Sequence, residues 1–282
     1  MSDAALGQTR QPQTTSEYGI LGIRDLDFQL DRAPASDDLG ELVERHWLIR
    51  WDLPAGRRAA VTLLPHPCVN LVYDQGQVVI AGVGRERFRY EYEGTGRVFG
   101  VKFRPGGFLP FLRRPVGTLT DQYLPLAVLW GAADADRLAR DLAAAPDLDA
   151  LVAAAERHLR ARWPPADPDV ALVGRIAQDL LHNRAITRVD DVTARFGLST
   201  RSLQRLFQRY VGVSPKWVLQ RYRLHEAASR LAEGTGGTWA EVAVDLGYFD
   251  QSHFIRDFTR AIGLTPVAYA EACARKQNPV SA

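Results

Sequence analysis

Hydrophobic and polar positions follow two different rhythms along this chain. Between about Val43 and Arg104 the apolar residues come in short runs: HWLIRWDL, AAVTLL, VNLVYD, QVVIAGV, RFRYEYE and RVFGVKF. PAG, PHP, DQG, GRE and EGTG separate them, and these are turn signals. Short strands at this spacing predict an antiparallel barrel or sandwich. From Phe103 to Gly117, FRPGGFLPFLRRPVG starts a helical part. DADRLARDLAAA and LDALVAAAERHLRAR then read as amphipathic helices, with Leu138, Leu142, Leu148, Leu151, Val152 and Leu159 as an apolar seam.

Trp163 to Asp169, WPPADPD, interrupts the helical rhythm, because three prolines in five residues cannot continue a helix. The expected organisation is a flexible polar tail at 1–18, a β-barrel domain with C-terminal helices at 19–162, a linker at 163–169 and an all-helical domain at 170–276. The fold class is α+β.

The second half repeats itself. RLFQRYVGVSP, Arg205 to Pro215, returns 51 residues later as RDFTRAIGLTP, Arg256 to Pro266, with five of eleven positions identical. Repetition at a fixed offset means one supersecondary unit used twice. In the first copy a short helix, Asp191 to Phe196, ends at Gly197. Ser199 then caps a longer helix whose Leu203, Leu206, Phe207 and Tyr210 share a face. In the second copy Trp239 to Leu246 is the short helix, Gly247 the turn and Asp250 the cap, with Phe254 and Phe258 buried. Each copy is a helix-turn-helix. From Pro215 to about Leu231 the connector reads as one helix.

The outward face of the first long helix carries Thr200, Arg201, Gln204, Arg205 and Gln208. The second carries Gln251, Ser252, Ile255, Arg256 and Thr259. Arg pairs with guanine and Gln with adenine through two hydrogen bonds each, and an apolar Ile suits a thymine methyl. Such side chains near a helix N-terminus are placed as a helix-turn-helix presents them to bases. Arg205 and Arg256 could instead be ion-pair partners within the domain, and Ile255 a plain exposed aliphatic. Arg209, Lys216 and Arg221 are phosphate contacts or surface charge.

Charge sharpens this picture. The 282 residues carry 35 Lys and Arg against 33 Asp and Glu. From Asp169 onward the ratio is 15 to 11, and from Val192 to His225 seven cations meet no acid. Such a stretch attracts a polyanion. Composition, 46% hydrophobic and 24% charged, is that of a globular protein. The opening residues lack a secretory pattern and no apolar run approaches a membrane span, so a cytoplasmic location is expected.

At these residues the sequence resembles the AraC/XylS-type transcription regulators. EVAVDLGYFDQSHFIRDFTRAIGLTPVAY, Glu241 to Tyr269, is similar to the signature of the second half of their bipartite helix-turn-helix domain. GLSTRSLQRLFQRYVGVSP is similar to the first recognition helix and its turn. The resemblance implies that Arg201, Gln204, Arg205, Gln251, Ser252 and Arg256 face DNA. It also implies RNA polymerase as a partner and a role in transcription regulation. Thr193 and Arg230 depart from the family's pattern of small and apolar residues. HPCVNLVYD and FRPGG resemble, more weakly, an uncharacterised form of the cupin-like effector or oligomerisation domain found in front of such domains. That implies a small-molecule effector, a homodimer, or both.

The alternative is an enzyme with a barrel active site and a nucleic-acid-anchoring helical domain. The six His are scattered, and no HxH, HExxH, paired-Cys, GxSxG or phosphate-loop pattern occurs, so no catalytic residue, metal or cofactor is expected. His66 and Cys68 form a small reactive site or a turn before a buried strand. Trp47, Trp51, Tyr73, Phe88 and Tyr90 line a ligand cavity or form core.

Overall fold

The computed structural model describes residues 19–21, 27–235, 238–248 and 250–277, with Lys276 and Gln277 described by their backbone alone. The tail expected at 1–18 lies outside the described residues. Among the described residues eight strands fill the first half: β1 (Gln29–Pro34), β2 (Val43–Asp52), β3 (Arg58–Leu63), β4 (Asn70–Asp74), β5 (Gln77–Ala81), β6 (Phe88–Glu93), β7 (Thr95–Phe103) and β8 (Tyr123–Pro125). Six form one antiparallel sheet in the order β1-β2-β7-β4-β5-β8, and β3 pairs with β6 as a separate ribbon.

Alternation along the strands gives the sheet two buried faces. Trp47, Ile49, Trp51 and Val98 turn toward the ribbon, where Val61 and Tyr92 meet them. Leu48, Leu71, Ile80, Phe99, Val101 and Phe103 turn the other way, toward helices. The central strand β7 is therefore covered on both sides and reads as a nearly continuous apolar run. Its glycines have a packing reason. In the β2–β7 register Trp47 faces Gly100 and Trp51 faces Gly96, and a Cβ at either glycine would land inside the opposing indole.

Helices α1 (Leu109–Leu112), α2 (Leu126–Trp130), α3 (Ala132–Ala144) and α4 (Leu148–Arg160) follow, with a 3-10 turn at Val116–Leu119. Leu138, Leu142, Leu151 and Leu159 of the expected seam are fully buried, and Leu148 and Val152 pack at its margin. The second half is helical: α5 (Pro168–His182), α6 (Val189–Phe196), α7 (Thr200–Tyr210), α8 (Pro215–Glu233), α9 (Trp239–Asp245), α10 (Gln251–Ile262) and α11 (Pro266–Gln277).

Three expectations need correction. β1 and β8 were not anticipated: β1 is an edge strand carrying Arg32 and Pro34, and β8 has three residues ending in Pro125. The expected linker at 163–169 overlaps a helix. Pro168 is the first residue of α5, where the missing N–H costs nothing, and Asp167 caps it by accepting from the Asp169 N–H at 3.0 Å. Finally, α6 begins two residues earlier than expected, because Asp191 accepts from the Thr187 and Arg188 N–H groups.

The α8 helix joins two cores. Val218, Leu219 and Tyr222 share a cluster with Leu203 and Phe207 of α7, Val173 and Ile176 of α5, and the sheet itself. Leu224, Ala227, Ala228 and Leu231 belong to a second cluster with Val242 of α9, Phe254, Phe258 and Ile262 of α10, and Tyr269 of α11. One helix of about 28 Å, at 1.5 Å per residue, thus has each end embedded in a different helix-turn-helix.

Candidate nucleic-acid interface

Local chemistry explains both helix-turn-helix units. α6 stops because Gly197 takes a φ of 64°, which lets the Leu198 N–H reach the Thr193 carbonyl at 3.1 Å. Ser199 caps α7, accepting from the Ser202 N–H at 3.1 Å. In the second unit Thr238 and Glu241 form a reciprocal capping box at the start of α9. Gly247 turns the chain at a φ of 74°, and Asp250 caps α10 through the His253 N–H at 2.7 Å.

The apolar stripe of each long helix is buried: Leu203, Phe207 and Tyr210 on α7, and Phe254, Phe258 and Ile262 on α10. The opposite face is exposed at Thr200, Arg201, Gln204 and Arg205, and at Gln251, Ser252 and Arg256. Neither Arg205 nor Arg256 forms an ion pair among the described residues; the Arg256 Nε donates only to the Ser252 carbonyl, at 3.3 Å. The ion-pair alternative for these two residues therefore has no partner within the described residues. Lys216 is exposed one residue into α8.

Other candidates are differently placed. Ile255 and Thr259 are half-buried rather than free on the surface, and the Thr259 hydroxyl is shut off from solvent. Gln208 is exposed, but its amide abuts Gly117 of the first half so closely that a Cβ there would overlap it. Of the seven cations between Val192 and His225, three serve the fold. Arg195 pairs with Asp179 of α5. The Arg223 Nη2 donates to the Thr187 carbonyl at 2.7 Å. Arg221 is buried, lies over the Trp217 ring at 4.4 Å, and donates from Nη2 to the Arg85 carbonyl at 2.6 Å. Burial lowers its pKa to about 10. It is not a surface or phosphate-facing charge. Arg201, Arg205, Arg209 and Lys216 remain exposed.

The two departures from the family pattern are accommodated. The Thr193 hydroxyl donates to the Asp190 carbonyl at 2.9 Å within its own helix. Arg230 pairs with Asp245 of α9 at 2.7 Å, tying the connector to the second unit. It borders a cavity of about 670 Å³ between α5, α8 and α9 that Arg184, Glu226 and Arg223 also line.

In the first half, Cys68 is buried and His66 half-buried, and burial pushes the Cys68 thiol up. The Asn70 amide lies 3.7 Å from its sulfur. No group of three His, Cys, Asp or Glu side chains among the described residues is arranged to hold a metal. Trp51 and Tyr90 meet edge to face in the core under the ribbon, while Tyr73 sits in the core on the other face. No helix of the described residues is long and apolar enough to cross a membrane.

Comparison with known proteins matches both halves. Residues 31–125 match the model of a domain of unknown function (DUF6597), and residues 192–272 match that of a helix-turn-helix domain. The chain is 35% identical over 107 residues to the transcriptional activator NphR of a Rhodococcus species, covering 38% of this chain and 31% of that protein. It is 39% identical over 80 residues to the helix-turn-helix transcriptional regulator YidL of Escherichia coli K12, covering 28% and 27%. The match thus spans about a third of the curated relatives' length. A solved structure of ToxT from Vibrio cholerae aligns over 88% of this chain and 99% of its own, at 12% identity and a TM-score of 0.37, too slight a likeness to build on. The capped, duplicated units and these matches agree: the C-terminal part of the chain is a helix-turn-helix domain of the AraC/XylS type, carried behind a domain of the unknown-function family.

Proposed function

We propose that the chain is a sequence-specific, DNA-binding transcription regulator that reads two successive major grooves of one duplex. One observation carries this reading: α7 and α10 each expose a capped N-terminal turn bearing Arg, Gln and hydroxyl side chains. In α7 no carboxylate lies on that face. In this reading Arg201, Gln204, Arg205, Gln251, Ser252 and Arg256 meet base edges, with Thr200 beside them. Lys216 meets a phosphate. Ile255 and Gln208 are secondary, the first half-buried and the second held against the first half. α8 fixes the separation of the two reading heads.

The first half acts as the control domain, by binding a small molecule, by pairing two copies, or by both. RNA polymerase is the downstream partner of an activator of this kind. No reaction is assigned to the chain. Selection of bound fragments from a random duplex library, followed by footprinting, tests the reading. A footprint over two adjacent major grooves per protomer is expected. Absence of any salt-dependent duplex affinity would overturn it.

A further inference from the structure

The two longest stretches of this chain without Asp or Glu are Gly94 to Thr120 and Val192 to His225. They lie in different halves, yet the fold brings them together. The 3-10 turn at Val116–Leu119 docks on the last turn of α7. The Thr120 hydroxyl donates to the Gly212 carbonyl at 2.7 Å, and Gly117 abuts Gln208. The contact engages only the end of α7. Its first two turns, with Thr200, Arg201, Gln204 and Arg205, stay exposed. The first half therefore flanks the reading face without covering it.

Five cations lie in the first of these stretches, and three are committed to the fold. Arg97 donates to the carbonyls at the end of α3, Arg104 donates to the Gly40 carbonyl, and Lys102 is buried. The other two, Arg113 and Arg114, are exposed, and neither has an ion-pair partner among the described residues. They stand two and three residues before Val116, within about 10 Å of backbone. That is about one screening length at 0.1 M salt.

Arg113 is also conformationally costly. It caps α1 in the left-handed region, at a φ of 57°, donating its N–H to the Leu109 carbonyl at 2.9 Å. Fold stability alone favours Gly at such a position. A long cation held there against backbone preference points to work for its side chain.

We propose that Arg113 and Arg114 extend the α7 surface from the first half of the molecule and bind the phosphate backbone of the same duplex. The proposal rests on the reading of α7 as a DNA-reading helix. In it, the first half contributes directly to DNA affinity, and the docking of Val116–Leu119 on α7 sets where the two arginines meet the strand.

The test uses the full chain, a fluorescent duplex of random sequence and a salt series. Removing two phosphate contacts lowers the slope of log affinity against log salt by about 1.8. Arg113→Gly with Arg114→Gln is expected to show that drop while holding or raising the thermal midpoint, which loss of a merely structural pair would not do. Arg113→Lys with Arg114→Lys is expected to restore most of the slope. Arg57→Gln with Arg58→Gln removes equal charge from the end of the ribbon opposite Leu63 and Phe88 and should leave the slope unchanged. An unchanged slope in the first variant, an equal drop in the ribbon variant, or a gain in affinity showing that the segment obstructs DNA would each overturn the proposal. If the unaltered chain shows no salt-dependent duplex binding, the reading of α7 fails first, and the inference goes with it.

Discussion

The imidazoles of His66 and His225 lie face to face, with ring centroids 4.2 Å apart and planes within 2° of parallel. His66 comes from the loop before β4, and His225 from the middle of the connector α8. His225 is buried and His66 half-buried, and His66 Nδ1 and His225 Nε2, both shut off from solvent, have no hydrogen-bond partner among the described residues. Burial, together with the charges of Lys102 and Arg221, and for His66 that of Arg45 as well, holds both histidines well below the ordinary range. Each is therefore neutral in the folded state and protonates readily once exposed. The sign follows: their contribution to stability is full above about pH 6.5 and is lost as pH falls below it.

Acidification should accordingly loosen the joint between the halves before it affects exposed ion pairs. The expected slope is up to about 1.4 kcal/mol per pH unit per histidine below pH 6.5. Thermal melts from pH 8 to 5 measure it. His225→Phe keeps a ring in the stack and removes one titrating site, so its stability should fall less steeply with acid. Parallel curves for both proteins would show that this pair does not carry the dependence.

Arg256 and Lys216 should separate base reading from backbone binding. Arg256→Ala is expected to cost about 1–3 kcal/mol on a selected site and to relax preference at one base pair, as for a bidentate contact. Lys216→Ala should weaken all duplexes alike and lower the salt slope by about 1. Competition binding against single-base variants of the selected site distinguishes the two. A uniform loss for Arg256→Ala would move that residue to the phosphate class.

Much of the helical half was legible in the sequence, because its signals are local. Gly197 and Gly247 terminate helices, Ser199 and Asp250 cap them, and Phe207 and Phe258 recur at one offset. Each of these acts over one or two turns. The fate of Arg221 was not legible. Its partner, the Arg85 carbonyl, lies 136 residues earlier, and only the packing of the two halves brings them together. Gln208 has the same history, with Gly117 supplied from the first half. In the β-rich half, strands with apolar alternation were visible, whereas edge strands such as β1 were not, since pairing on one side only demands few apolar residues.

The connector offers a mechanical test. Tyr222 ends one cluster and Leu224 begins the other, so Arg223 sits at the seam. Arg223→Pro removes a helix hydrogen bond and the Thr187 contact, at a cost of about 3 kcal/mol or more. Each helix-turn-helix keeps its own cluster, but their spacing is no longer held. Footprinting should then show protection of one groove where the unaltered chain protects two. A footprint of unaltered length would refute the strut role of α8.

A last prediction concerns the sheet on which the first half is built. Trp47 and Gly100 face each other across β2 and β7, and a Cβ on Gly100 would fall inside the indole. β7 is central and buried on both faces, so neither backbone can retreat. Gly100→Ala should therefore act as overpacking, costing about 1–3 kcal/mol despite the better strand propensity of Ala. Adding Trp47→Leu to it makes room and should recover part of the loss, although Trp47→Leu alone destabilises by leaving a gap beside the glycine. Denaturant melts of the two single variants and the double variant form a cycle. The expected coupling is favourable, because each substitution relieves the defect the other creates. Simple additivity would mean that the indole moves aside freely, and that the glycine is not there to admit it.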